Sequence, residues 1–397
     1  MNFIFISPQF PHTYWNFCAR LKKNGINVLG IGDTPYDQLS QELRNSLTEY
    51  YRVNDMENYD EMFRAVAFFS YKYGRIDWLE SNNEYWLEQD ARLRTDFNIT
   101  TGVNTKGISK YKSKYEMKKY YAKAGVPTAR ISKVTDIKKA KAFLEEIGGY
   151  PIIAKPECGV GAAHTYKITK DAELEEFFAT RPDVAYVMEE FIEGDIVSYD
   201  VITDNRCEPL FESMTCWPPS IADIVNNKLD LDYYTAATVP EALRTLGRAT
   251  VKAFDVKSRF VHLEFFCLRK NKKGLGKKGD FVGLEVNMRP AGGYTPDMMN
   301  WAHATDVYQI WADMVAFNER RVPDLNMDHC CVYASRRDCY QYKHSWDEVM
   351  EKYRDKIVMA ERLPALWYDA MGNYMFTAHA DDDAAAEEFI AFVEERA

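Results

Sequence analysis

One stretch constrains this chain more than any other, Gly283-Leu-Glu-Val-Asn-Met-Arg-Pro-Ala-Gly-Gly293, an apolar strand running into a glycine-bearing loop. The two-residue period of a strand sends Glu285 and Asn287 to one face, and Arg289 follows two residues later. Just upstream, Phe260-Val-His-Leu-Glu-Phe-Phe266 forms a second apolar strand and adds Glu264. The pair reads as a hairpin with a metal-binding face. Oxygen donors in a fixed array suit a hard cation such as Mg²⁺, which also keeps phosphate oxygens and water in its shell. A lone strand glutamate is more often solvated or salt-bridged than a ligand. Here the surroundings are strongly apolar, and a buried carboxylate needs a partner. Arg289 or a cation would serve.

The length of 397 residues predicts two or three domains, and a hydrophobic content of 46% is ample for their cores. A net charge of -10 argues against nucleic acid or an anionic membrane surface as the main partner. The start, Met1-Asn-Phe-Ile-Phe-Ile, lacks a basic n-region, and no run of about eighteen apolar residues appears, so a cytoplasmic protein is expected. The eight cysteines show no Cys-x-x-Cys pair and no histidine at metal spacing, which predicts buried free thiols.

Taken in order, a strand over 3–6, a helix over 12–23 and a strand over 27–31 open a parallel α/β layer. The loop after the first strand, Ser7-Pro-Gln-Phe-Pro11, has no glycine to admit a pyrophosphate, so a dinucleotide site is not expected there. The pattern continues with a helix over 59–73, a strand over 76–80 and a helix over 84–94. Glu80 and Ser81-Asn82-Asn83 then fall at a strand's C-terminal end, placed either to touch substrate or to cap the next helix. A lysine- and tyrosine-rich helix over 106–124 stops at Gly125, and another helix spans 136–147. The strand over 150–155 ends in Lys155, which needs an anion to offset its burial. Cys158-Gly-Val-Gly-Ala-Ala163 follows and leads into a strand over 164–168. Its backbone N–H groups could wrap a polyphosphate above Lys155, although a plain hairpin turn fits equally well. Further strands are expected over 185–191, 196–203 and 209–214, a long loop over 218–237, and a helix over 241–254. The basic segment 269–278 reads as a solvated hairpin tip. Helices through Trp301 and over 306–317 precede a β-α-β-β-α tail, with strands over 330–335 and 375–379 and a last helix over 382–395.

The ordered set resembles the ATP-grasp superfamily, and within it the carboxylate–amine ligases related to biotin carboxylase and to the large-subunit domains of carbamoyl phosphate synthase. Lys114 within Tyr111-Lys-Ser-Lys-Tyr-Glu-Met117, Lys155, the loop Gly159 to Ala163, Met188-Glu-Glu-Phe-Ile-Glu-Gly194, Glu264 and Glu285-Val-Asn-Met-Arg289 carry the likeness. It implies an α/β fold: a Rossmann-like domain over 1–105, then an ATP-grasp domain over 106–320 whose two α+β lobes clasp ATP, then an α+β region over 321–397. The smaller lobe, a lid, would span about 126–192.

The resemblance also implies roles. Lys114 and Lys155 would contact ATP phosphates, with Gly159, Gly161 and Ala162 in the loop closing over them. Glu190 and Ile192 would bond adenine through their backbone, flanked by Glu189 and Phe191. Glu264, Glu285 and Asn287 would hold Mg²⁺ or Mn²⁺, and Arg289 with Lys155 would act on the transferring phosphoryl group. Where many members carry a ribose-binding glutamate this chain has Ile196, which leaves Asp200, Ser198 or Glu193 to take that contact. The implied reaction is ATP-dependent amide formation from a small-molecule carboxylate and amine through an acyl phosphate. A bicarbonate-using carboxylase or carbamoyl-phosphate-synthase-like enzyme and a non-catalytic ATP-binding regulatory protein are the alternatives. Arg336 and Arg337 are candidates for the substrate carboxylate, one of them exposed. Tyr294, Trp301 and His303 are candidates for the acceptor pocket, and Tyr233 and Tyr234 for a lid. A homodimer is the base expectation.

Overall fold

The computed structural model describes all residues except 160–163, 218–223, 225–226 and 326. At the N-terminus, β1 (Asn2–Ile6), β2 (Asn27–Gly32), β3 (Glu49–Arg52) and β4 (Trp78–Glu80) form a four-stranded parallel sheet in the order β3-β2-β1-β4. From Phe3 to Ile6, β1 is apolar because both faces are covered, as parallel sheets require. Phe3 and Phe5 pack on Phe17 and Trp311, whereas Ile4 and Ile6 pack on Met62 and Phe69. Trp311 belongs to the helix Val307–Phe317, so this layer takes part of its cover from far along the chain.

A second sheet is small and antiparallel. Its strands β5 (Ile131–Lys133), β6 (Ile152–Pro156), β7 (Tyr166–Ile168) and β8 (Tyr186–Glu190) run in the order β5-β8-β6-β7. Helices Ile137–Ile147 and Asp171–Thr180 cover it through Phe143, Leu144 and Phe177. The apolar stretch ending in Lys155 is therefore an inner strand.

The third sheet has eight strands: β9 (Gly194–Thr203), β10 (Pro209–Trp217), β11 (Asp232–Thr235), β12 (Arg259–Leu268), β13 (Phe281–Asn287), β14 (Cys330–Arg336), β15 (Ile357–Arg362) and β16 (Tyr374–Ala380). Their order is β13-β12-β9-β10-β11-β14-β16-β15, every pairing antiparallel. The tail strands thus continue the sheet that carries the Glu264–Glu285 hairpin.

Several expectations change. β11 lies within the stretch read as a loop, since its short Asp-Tyr-Tyr-Thr run is recognisable only through its neighbours β10 and β14. Tyr233 is 2% exposed and stacked between Trp217 and Tyr333, each 4.8 Å away, and half-buried Tyr234 pairs with Val332, so neither forms a lid. The helix expected over 106–124 breaks at Ser113 into Ser109–Lys112 and Lys114–Ala124, because the Ser113 hydroxyl accepts from the Glu116 N–H and caps the second piece. All eight cysteines are free as expected, but only Cys18, Cys207, Cys330 and Cys331 are buried, with Cys216 and Cys267 partly buried and Cys158 and Cys339 exposed. Among the described residues no helix is long and apolar enough to cross a membrane.

Candidate active site

Register builds the site. Across β9, β12 and β13, Asp200 pairs with His262 and His262 with Asn287, while Ser198 pairs with Glu264 and Glu264 with Glu285. All six side chains therefore share one face. Pairing slips between Glu264 and Phe265, so Leu284 is the extra residue of a bulge beside the two carboxylates. Glu264 and Glu285 keep side-chain exposures of 25% and 21%, which leaves both facing an accessible space.

Like charges opposite each other destabilise a sheet. The cost is offset locally: Lys114 Nζ lies 2.9 Å from Glu285, and His262 Nε2 lies 3.2 Å from Glu264. Burial disfavours charge on His262, but Asp200 at 2.7 Å and Glu264 raise its pKa to about 9. Burial works equally against the Lys114 ammonium, and Glu285 outweighs it and raises that pKa. The Asn287 amide donates to Glu264 Oε1 at 3.4 Å. Among the described residues no group of three or more His, Cys, Asp and Glu side chains is arranged to hold a metal. Two carboxylates and one amide oxygen suit a hard cation that takes the rest of its shell from phosphate and water.

The smaller sheet supplies the basic side. Lys155 Nζ meets Glu189 at 2.6 Å, and Lys118 Nζ meets the other oxygen of Glu189 at 2.7 Å. Burial would raise the Glu189 pKa, but the two lysines hold it at about 2. The anion demanded by a lysine in that strand is thus Glu189, a residue expected instead to flank adenine. Lys114 also donates to the Gly159 carbonyl at 3.3 Å, and Ser113 Oγ donates to Glu157 at 2.6 Å, tying the helix start to the base of the small-residue loop. Gly161 and Ala162 lie outside the described residues.

The hinge, Met188 to Gly194, is held by its own neighbours. The Glu190 N–H is given to the Arg130 carbonyl at 3.1 Å, which removes it as a donor to adenine. The Glu190 carboxylate accepts from the Arg130 N–H at 2.9 Å and from its guanidinium at 2.8 Å. Ile192 is buried beside Ala129, Leu268 and Val282. Lys272 donates to the Phe191 carbonyl and lies 3.5 Å from Glu190, while Arg269 pairs with Asp195 and Lys270 with Glu193. The basic hairpin read as a solvated tip is pinned to the hinge by these pairs. Asp200 is not solvated. It is fully buried, bound to Ser198 and His262, and four residues (about 13 Å of strand) from Ile196.

Arg289 closes the face. Its Nη1 donates to the Pro290 carbonyl at 2.7 Å, and its charge acts on Tyr14, Glu84 and Glu264. It also lines a cavity of about 330 Å³ together with Phe10, Asn83, Leu366, Trp367 and Met371. Phe10 and Asn83 follow the carboxyl ends of β1 and β4, where open α/β sheets receive ligands. Gly293, at φ +61°, forms part of the wall, and a Cβ there would meet the Met371 methyl at 2.8 Å.

Other candidates fall elsewhere. Glu80 neither touches the cavity nor caps a helix: it is buried in ion pairs with Arg94 and Arg259. Arg336 and Arg337 are both buried. The first donates to the Val393 and His344 carbonyls, the second to those of Leu229, Tyr368 and Asp369. His303 sits between Ser213 (2.9 Å) and Asp328 (2.7 Å), and the Trp301 carbonyl faces His379 at 3.1 Å, both away from the cavity. Tyr294 packs edge-on behind Trp367 and bonds Glu361. Sequence reasoning missed Lys118 and His262, yet each carried a signal. Lys118 lies one helical turn from Lys114, and His262 shares the strand face of Glu264.

Residues 110–218 match the family of the ATP-grasp domain. Solved structures agree over nearly the whole chain. L-amino acid ligase from Bacillus licheniformis is 14% identical, with a TM-score of 0.69 over 98% of this chain and 95% of that one. The biotin carboxylase domain of the Hydrogenobacter thermophilus 2-oxoglutarate carboxylase is 15% identical, with a TM-score of 0.69 over 100% and 90%. N5-carboxyaminoimidazole synthetase from Staphylococcus aureus is 14% identical, with a TM-score of 0.69 over 98% and 96%. Residues 110–218 thus match an ATP-grasp domain, and the α/β architecture of the chain as a whole is the fold of these solved structures.

Proposed function

We propose that the protein is an ATP-dependent carboxylate–amine ligase that forms an amide and releases ADP and phosphate. The observation that carries this reading is the position of Arg289, between the Glu264–Glu285 carboxylate face and a cavity large enough for an organic acid. In this reading Lys114 and Lys155 neutralise the nucleotide phosphates, and Glu264, Glu285 and Asn287 hold Mg²⁺. The metal, when bound, would supply charge neutralisation at the β- and γ-phosphate oxygens. Arg289 then orients the acid at the boundary and stabilises the charge of the acyl phosphate formed when its carboxylate takes the phosphoryl group. An amine displaces phosphate in the second step. The apolar cavity wall is a poor match for bicarbonate, which weighs against the carboxylase reading.

The test is ADP and phosphate release from Mg²⁺-ATP, measured against pooled carboxylic acids with and without amines, with mass analysis of the products. Release that needs an acid and an amine, with a conjugate lighter by one water than their sum, is the expected result. Release that needs bicarbonate alone, or nucleotide binding with no stimulated release by any pool, would refute it.

A further inference from the structure

The ligase reading leaves the acid unspecified, and the cavity beside Arg289 is informative about it. Its volume of about 330 Å³ lies at the small end of ligand pockets, room for a single ring or a short branched chain. Its wall is apolar where it meets the two ends of the chain: Phe10 comes from the N-terminal layer, and Leu366, Trp367 and Met371 from the segment before β16. Phe10 is 41% exposed and Leu366 77% exposed, so the mouth presents apolar side chains to water that a bound apolar group would cover. The polar lining is sparse. Arg289 is the one charged residue among the described lining residues, with Asn83 and Tyr14 as neutral partners.

That distribution separates classes of acid. A carboxylate finds the Arg289 guanidinium, which can donate to it in a two-point contact. A second carboxylate, or an ammonium on the α-carbon, would be desolvated against Phe10, Trp367 and Met371 with no further opposite charge among the described lining residues, and an unpaired buried charge is costly. Glu84, on which the Arg289 charge acts, and Glu361, behind Trp367, are both occupied. Glu84 accepts from Lys112 (3.3 Å) and from the Met288 N–H (3.1 Å), and Glu361 from Tyr294.

We infer that the acid substrate is a small monocarboxylate with an uncharged apolar or aromatic body and no α-ammonium group, its carboxylate at Arg289 and its body against Phe10, Leu366, Trp367 and Met371. This rests on the ligase reading for its role as substrate, but the ligand class can be read by binding alone.

The experiment is isothermal titration of the full chain, with ADP and Mg²⁺ present, using 3-phenylpropionate, phenylalanine and succinate as probes. The expected result is that 3-phenylpropionate binds at least tenfold more tightly than phenylalanine or succinate. Ala370→Trp, which fills the cavity from its wall, and Arg289→Gln should each weaken it at least fivefold, with ADP affinity as the check on folding. Tighter binding of phenylalanine or succinate would overturn the inference, as would binding of 3-phenylpropionate that Ala370→Trp leaves intact, or none at all in a chain that binds ADP. ADP formation is followed separately. Selective binding of 3-phenylpropionate without turnover in any amine pool would refute the ligase reading while upholding the assigned ligand class.

Discussion

Glu189 sets the electrostatics of the phosphate side because its two carboxylate oxygens pair with Lys118 and Lys155. Removing its charge leaves both lysines without the anion they contact, so Glu189→Gln should lower stability by about 3–5 kcal/mol at pH 7, measured by urea unfolding. The pH dependence has a definite sign. The folded pKa of about 2 lies below the ordinary 4.5, so the stability Glu189 contributes is present above 4.5 and lost as pH falls toward 2. Wild type should lose about 3 kcal/mol more than the variant over that window, and parallel pH profiles would refute the charge assignment. Glu285 tests the opposite side. Glu285→Gln keeps the shape but removes the charge facing Glu264 and held by Lys114, so Mg²⁺-dependent turnover should fall about a hundredfold or more while circular dichroism is unchanged. Turnover within about threefold of wild type would exclude Glu285 as a metal ligand.

The helix Lys114–Ala124 reaches the carboxylate face because β13 has no side chain at Gly283. A Cβ there would lie 2.7 Å from the Tyr121 ring, and the Gly283 N–H donates to the Pro127 carbonyl at 2.8 Å. Gly283→Ala must push that helix outward, at about 1–3 kcal/mol. Lys114 and Lys118 ride on it, so the KM for ATP should rise together with the loss of stability. A variant destabilised but unchanged in KM would show that helix position does not govern the lysines. This contact also marks the limit of what the chain reveals before folding. Period-2 alternation made the hairpin legible, and with it Glu264, Glu285 and Asn287, because strand geometry is local. The resemblance picked out Lys114, and the residues around Lys155 called for an anion without naming Glu189. Asp200 beneath His262, Lys272 at the hinge and the inward turn of both Arg336 and Arg337 depend on which distant strands pair. Nothing within a few residues of them records that. β11 was missed for the same reason, since four residues with two tyrosines become a strand only between β10 and β14.

At the scale of the molecule, the N-terminal layer and the eight-stranded sheet share an apolar core, and a buried carboxylate ties the two together beside it. Glu80, at the end of β4, accepts from Arg94 Nη2 at 2.8 Å and from Arg259 Nη2 at 2.8 Å, while Arg259 Nε donates to the Met288 carbonyl at 2.8 Å. Arg259 opens β12, and Met288 directly precedes Arg289, so this pair fixes Phe10 and Asn83 relative to Arg289. Burial disfavours the Glu80 charge, but Arg259 and Arg94 hold its carboxyl below the ordinary range. Breaking such a pair is costly because the survivor remains charged in a dry interior, whereas replacing both members is tolerated far better. Glu80→Gln and Arg259→Met should therefore each cost about 3–5 kcal/mol, and the double variant should cost less than their sum by about 1–3 kcal/mol. Function should follow in a specific way. The cavity is built across this junction whereas the lysine cradle is not, so in Arg259→Met the KM for the acid should rise more than the KM for ATP. Additive stability losses would show that the two residues do not act as a pair, and equal rises in both KM values would show that the junction supports the whole fold rather than positioning the cavity.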